Sequence, residues 1–341
     1  MTRIWRGSAR LIAGAFGAFT NGLTSAMPHA VNGTKADKNV DMLIGGQAVI
    51  EGVMMRSLTG YSVAVRQPDG GVSIRKDQLT SVTAKYPFLK VPVLRGSVVL
   101  IQSLVLGIRA LNYSASVASA GEEGEPEMSN WAIAGSMLMA LVLGIGLFIL
   151  APLGITNLLR HYVFPNMGNF AYNAIDGVIR AIFFFVYIAS ISLMEEIRRV
   201  FQYHGAEHKT VYTFEANEDL TVENARKKST LHPRCGTSFL MFVMAISILV
   251  FSLVPSTAPF ILKFGARVVL IPLIAGLAYE IIRFSARHLT NPVCKVLIRP
   301  GLWLQRITTK EPDDQQLEIA LIALKEALLY DVIEPERAAV A

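Results

Sequence analysis

The stretch Tyr203-His204-Gly205-Ala206-Glu207-His208 carries the spacing His-x-x-Glu-His, the inverse of the commoner zinc-protease pattern. On a helix, residues four apart differ by about 40° in azimuth and about 6 Å in rise. Two imidazoles so placed can reach adjacent positions around one ion, each at roughly 2.0–2.1 Å. A carboxylate beside them can take a proton from a water that the cation has acidified. His204 and His208 are therefore the expected ligands and Glu207 the expected general base. The bland alternative makes both histidines interfacial side chains bonded to loop backbone, with Glu207 paired to Lys209 or Arg198. Gly205 and the run Thr210-Val-Tyr-Thr213 also weaken the helix that the spacing needs.

A second cluster, His232-Pro-Arg-Cys235-Gly, lies just before a long apolar stretch. The loop that leaves the membrane near His204 thus returns near Cys235. Histidine and cysteine are ligands of choice for zinc, and a catalytic ion keeps three protein ligands and one open position. His232 and Cys235 are the expected further ligands; were all four donors bound, the site would be closed and structural. The plain reading has Cys235 as a small buried residue and His232 as a cap. Glu280, Glu196 and Glu51 are additional candidates. Glu280 is an acid inside an apolar stretch, where the alternative is an ion pair with Arg283. Glu196 closes a span at similar depth. Glu51 lies in the glycine-rich segment 44–56, which reads as a loop with tight turns facing a substrate. Arg180 is expected to snorkel or to pair with Asp176.

What positions these residues follows from composition. The chain is 52% hydrophobic and 17% charged, more apolar than a water-soluble domain of this length can hide. The expected fold is mainly α and polytopic, with about four transmembrane helices at 131–155, 174–194, 237–258 and 267–284. Positive charge concentrates in the loop 195–236 and in both terminal segments, so both termini and that loop are expected on the cytoplasmic side of the cell (inner) membrane. Segment 93–117, interrupted by Arg95, Gln102 and Arg109, reads as an interfacial helix. The small region 41–92 is expected to be α+β, with a β-hairpin made of 61–66 and 72–75 around Pro68-Asp-Gly-Gly71. The stretch 118–130 reads as an acidic linker. The C-terminal region 285–341 is expected to be cytoplasmic and helical, its amphipathic stretch 313–330 packing on the hairpin region. The basic segment 1–40 reads as a surface helix or a cleaved targeting segment. Two cysteines are too few for a disulfide framework. The scattered basic residues, without aromatic interleaving, point to a lipid bilayer as partner and away from nucleic acid.

The motifs Gly45-Gly-Gln-Ala-Val-Ile-Glu-Gly-Val-Met-Met-Arg56, Tyr203-His-Gly-Ala-Glu-His-Lys209 and His232-Pro-Arg-Cys-Gly-Thr-Ser238 together resemble the signatures of the bacterial YqhQ-like family. The resemblance spans roughly residues 41–330. It implies a multi-pass membrane protein described as a predicted metal-dependent enzyme, and it carries over His204, Glu207, His208, His232 and Cys235. Two functions of different class follow. One is a membrane-embedded metal-dependent hydrolase using a divalent metal, zinc by ligand type. The other is a non-catalytic scaffold with a structural metal, recruiting a cytoplasmic protein or a second copy. A transporter fits less well, because charges sit only near the ends of the expected spans.

Overall fold

The computed structural model describes residues 44–79, 82, 86–120, 130–288 and 291–340. The basic segment 1–40 and most of the acidic linker, 121–129, lie outside the described residues. Strands β1 (Gly45–Val49), β2 (Gly52–Arg56), β3 (Gly60–Arg66) and β4 (Val72–Gln78) come first. Helices follow as α1 (Leu94–Ala118), α2 (Asn130–Ile145), α3 (Ala151–Tyr162), α4 (Asn169–Ile191), α5 (Glu195–Glu215) and α6 (Val222–Arg226). Then come α7 (Gly236–Phe251), α8 (Phe260–Val269), α9 (Ile271–Arg287), α10 (Pro292–Thr308) and α11 (Asp314–Val340).

The strands form an antiparallel meander in sequence order. Its β3–β4 pair is the hairpin that the alternation predicts, turning where Gly70 adopts φ +89°. Strands β1 and β2 replace the loop expected over 44–56. Both faces of β2 are covered, so no polar residue alternates to reveal a strand, and its glycines read as turns. Between them Glu51 sits at φ +50°, rare for a side-chain-bearing residue. Its carbonyl accepts from Arg66 N at 2.8 Å, and its carboxylate is gripped by the Arg199 guanidinium.

One sheet face, with Val49, Met54, Tyr61, Val63 and Val65, packs beneath Leu106, Ala110 and Val117 of α1. The other, with Val53, Met55 and Ala64, packs on Tyr203 and Ala206 of α5 and on Leu317, Ala320, Leu321 and Leu324 of α11. The α11 face recurs at i, i+3, i+4 and i+7, and each such leucine withdrawn from water contributes about 1.5–3 kcal/mol. A reciprocal cap starts this helix: Gln316 N donates to Asp313 Oδ1 at 2.8 Å, and Asp313 N donates to Gln316 Oε1 at 3.0 Å.

The remaining helices form a bundle in which α7 packs on α4, α9 and α10, with Phe242, Ile246, Ile274, Ala278 and Ile298 at its centre. By length and composition, α1, the segment Leu138–Tyr162 and α4 are candidate membrane spans; α8 and α9 make a fourth if counted as one span bent by 43°. The bend falls at Leu270, just before Pro272, which lacks the N–H to continue the ladder. A π-turn at Gly146–Leu150 joins α2 to α3: Ala151 N reaches back to Gly146 O, because Pro152 crowds the carbonyl of Phe148. Large apolar side chains such as Leu141, Leu143, Ile182, Val186, Ile261 and Val269 face outward. The expected span 237–258 is instead the 16-residue α7, about 24 Å long, followed by turns. Helix α1, expected at 93–117 as an interfacial helix, has the length and composition of a candidate span, and the sheet takes up its second half. Residues 94–105 alone run about 18 Å. Their Gly96 meets Gly276 of α9, where any side chain would collide with the facing backbone.

Candidate metal centre

Helix α5 runs without a break through His204-Gly-Ala-Glu-His208, although Gly205 and the threonines have poor helical propensity. Tertiary burial supplies what propensity lacks. Tyr203, Ala206 and Val211 enter the sheet-side core, and Thr213 Oγ1 returns to Lys209 O at 2.8 Å. Gly205 has a specific task. The chain between α10 and α11 crosses α5 there, and Lys310 N donates to Phe201 O at 2.9 Å. A methyl group on Gly205 would overlap the Lys310 carbonyl oxygen.

One turn apart, the rings of His204 and His208 have centroids 4.4 Å from each other. Each anchors one nitrogen on a carbonyl: His204 Nδ1 on Thr308 O at 2.8 Å and His208 Nδ1 on Thr230 O at 2.5 Å. These bonds place the protons on Nδ1 and leave both Nε2 atoms bare, the outer-shell arrangement that orients metal-ligating histidines. His204 Nε2 lies 3.1 Å from Cys235 Sγ. His208 Nε2 is buried and makes no hydrogen bond. One ring nitrogen of each histidine and the sulfur all lie within 4.8 Å of one another. Edges of a tetrahedral N,N,S site run about 3.3–3.6 Å at ordinary zinc–ligand lengths, so modest side-chain adjustment closes the set on an ion. Cys235 stands at the N-cap of α7, where Thr237 N donates to its sulfur at 3.4 Å.

Glu207 lies one residue before His208, 7% exposed, with Oε1 accepting from Gly46 N at 3.1 Å. Burial pushes its carboxyl above the usual carboxylate range; His204, His232 and the Gly46 N–H pull the other way. Gly46 is required at this point, since a Cβ would stand 2.8 Å from Met55 Sδ and 3.0 Å from Glu207 Cγ. The glycine-rich motif is thus the wall of the site. A cavity of about 80 Å³ lies between Gly45, Gly46, Glu207, His208, His232 and Cys235, room for an ion and a few waters. A larger cavity, about 460 Å³, lies at the α3–α4 connection among Val163, Phe164 and Met167, away from these donors.

The other sequence candidates are engaged elsewhere. Both His232 nitrogens are occupied: Nδ1 accepts from Arg234 N at 3.3 Å and Nε2 faces Glu215 at 3.4 Å. It lines the cavity without joining the converging donors. Glu280 is held by Arg95 of α1, with Nε to Oε1 at 2.6 Å, and not by Arg283. Glu196 is exposed in the first turn of α5. Glu51 is bound by Arg199 and Tyr203. Lys209 is paired with Glu311 and Arg226 O, which leaves Glu207 free of it. Sequence reasoning missed the carbonyls of Thr230 and Thr308, which no residue type announces. It also missed Gln305, whose buried side chain accepts from His232 N at 2.7 Å and donates to His232 O at 2.8 Å. A glutamine on the apolar side of α10 was the available signal.

Burial also lowers the His232 imidazole from its ordinary 6.5 to about 4. A base with a depressed folded-state value contributes its full stability above pH 6.5, and loses it as the unfolded chain takes up the proton between pH 6.5 and pH 4. The loss amounts to about 3 kcal/mol at 1.36 kcal/mol per unit. His232→Gln should flatten the fall of the thermal midpoint across that range; equal slopes in variant and wild type would refute the assignment.

Comparisons with known proteins agree with the motifs. The family described as "Protein of unknown function (DUF1385)" matches residues 91–329. "Uncharacterized protein YqhQ" of Bacillus subtilis (strain 168) is 35% identical over 303 residues, covering 86% of this chain and 94% of the relative. No solved structure matches. The coverage, together with the three motifs, shows that the chain belongs to the YqhQ-like, DUF1385 family.

Proposed function

We propose that this protein is a multi-pass protein of the cell (inner) membrane that acts as a metal-dependent hydrolase, its site at the cytoplasmic membrane surface. The observation that carries the reading is the convergence of His204 Nε2, His208 Nε2 and Cys235 Sγ beside a small cavity bounded by the buried Glu207. Three donors with one side open is the ligand count of catalytic zinc. A closed structural site, as the scaffold reading requires, needs a fourth donor, and among the described residues no further His, Cys, Asp or Glu joins this group. The basic loop 195–236 and the positive-inside tendency support a cytoplasmic site with both termini on that side.

A zinc ion held by these three residues would acidify water and polarise a carbonyl or phosphoryl oxygen. Glu207, positioned by Gly46 N and raised by burial above the usual carboxylate range, is suited to take the proton of the attacking water and pass it to the leaving group. The Nδ1 protons of both histidines stay on Thr230 and Thr308, fixing the tautomers throughout. Since the cavity holds little more than the reacting atoms, a peptide, ester or phosphoester substrate presents only its scissile group there.

Elemental analysis of the purified wild type against a His204→Ala/His208→Ala variant tests the site. About one equivalent in the former and none in the latter is expected; equal, near-zero contents would remove the reading. Under the scaffold alternative, chelation would unfold the 195–236 loop and no hydrolysis would accompany the bound ion.

A further inference from the structure

A second polar cluster lies in the bundle, at the other end of α4 from the metal centre. Asp176 stands 15 residues, about 22 Å of helix, before the α4 terminus that leads into α5. Its Oδ2 accepts from Arg180 Nη2 at 2.8 Å and lies 3.0 Å from Arg267 Nη2 of α8. Lys263, one turn before Arg267, points its ammonium at Asn157 Oδ1 at 2.5 Å, Tyr172 Oη at 3.1 Å and Ser256 O at 3.3 Å. Arg160 of α3 bonds Ser256 O and covers the Tyr172 ring. The charged groups acting on Lys263 are Arg160, Arg267 and Asp176.

We propose that this cluster is a binding site for a phosphate-bearing anion. The first argument is imbalance. Among the described residues, four cationic side chains, Arg160, Arg180, Lys263 and Arg267, share one carboxylate, and Arg267, Lys263 and Asp176 are at most 4% exposed. An excess of positive charge so deeply withdrawn from water is costly, and a purely structural network would be matched in sign. The second argument is the unused bonding capacity. Lys263 is saturated by its three acceptors and Arg267 Nη2 is taken up by the Asp176 ion pair, whereas Arg180 Nε and Arg267 Nε make no hydrogen bond, although Arg267 is 1% exposed; on the acceptor side Asp176 Oδ1 also has no donor. The Phe251 ring, 5.4 Å from the Arg180 guanidinium and 5.0 Å from that of Arg267, offers them a π face but no acceptor. Two guanidinium groups, each with an Nε–H that no acceptor takes up, fit the oxygens of a phosphate. Lys263 and Arg160 then contribute charge without contact. Arg180, with 15% of its side chain exposed, marks the side from which the anion enters. The chemistry is common to a free phosphate and to the headgroup of an anionic phospholipid.

The full chain in neutral detergent, followed by thermal unfolding, tests the proposal with two probes. Inorganic phosphate is compared with chloride at equal ionic strength, and short-chain phosphatidylglycerol with short-chain phosphatidylcholine. The expected result is a raised midpoint with at least one anionic probe, and its identity names the source. Arg180→Gln should weaken the response at least tenfold. Asp176→Asn, which deletes the competing carboxylate, should lower the midpoint without anion and respond to it at several-fold lower concentration. A structural salt bridge would give the loss without that rescue. No response beyond the chloride and phosphatidylcholine controls, or an unchanged response in Arg180→Gln, would overturn the assignment. Should Arg180→Gln fail to fold, the Asp176→Asn titration decides in the same way.

Discussion

Gly205→Ala is expected to cost about 3 kcal/mol or more of stability and, on the proposed reading, to lower metal binding at the centre. Helix propensity alone predicts the reverse sign, since alanine is favoured over glycine in a helix interior by about 1 kcal/mol. The added methyl, however, would overlap the carbonyl oxygen of Lys310 and stand 3.3 Å from its carbon. Both partners are backbone, so no side chain can swing aside. Overpacking of this kind costs about 1–3 kcal/mol, and displacing the crossing segment also breaks the bond from Lys310 N to Phe201 O. Two residues upstream in the same segment, the Thr308 carbonyl holds the His204 ring. The clash therefore reaches a ligand. Thermal unfolding and metal content measured on the same preparation decide the matter: a variant as stable as the wild type, with its ion retained, would show that the segment does not seat on α5.

Glu207→Gln should leave the ion in place and reduce turnover about 10²–10⁴-fold on any substrate the wild type hydrolyses, the usual contribution of a positioned base. The amide keeps an oxygen for Gly46 N and nearly the same volume, so the wall of the cavity survives. It cannot take a proton. Retained metal with lost turnover separates a base from a ligand; loss of both would make Glu207 part of the coordination sphere. If turnover persisted unchanged, the catalytic assignment would fail.

How much of this was legible in the residues alone differs from element to element. The pairing of His204 with His208 follows from helical spacing, and the approach of Cys235 follows from a loop that returns to the bundle it left. The terminal helix announced itself by leucines at helical intervals behind Pro312. Strands β1 and β2 did not, because coverage on both sides removes the alternation on which strand reading depends. Lys263 and Arg267, charged residues at the edge of the expected span 267–284, are buried within the bundle, where charge alone gives no sign of them. Glu280 misled in a related way. An acid in an apolar helix advertises a partner but not its identity, and Arg95 lies 185 residues away in the chain. His232 shows the limit of motif spacing: it comes next to the converging donors, yet Arg234 N and Glu215 occupy its nitrogens.

The segment that crosses α5 has a consequence for how the protein is made. His204 and His208 leave the ribosome about a hundred residues before Lys310, a delay of roughly 5–20 s at ordinary synthesis rates of about 5–20 residues per second. Throughout that interval the carbonyl that aims His204 does not yet exist, and the helix that closes the sheet is unborn. On the proposed reading, a nascent chain neither holds a cation firmly nor hydrolyses a substrate until translation is nearly over.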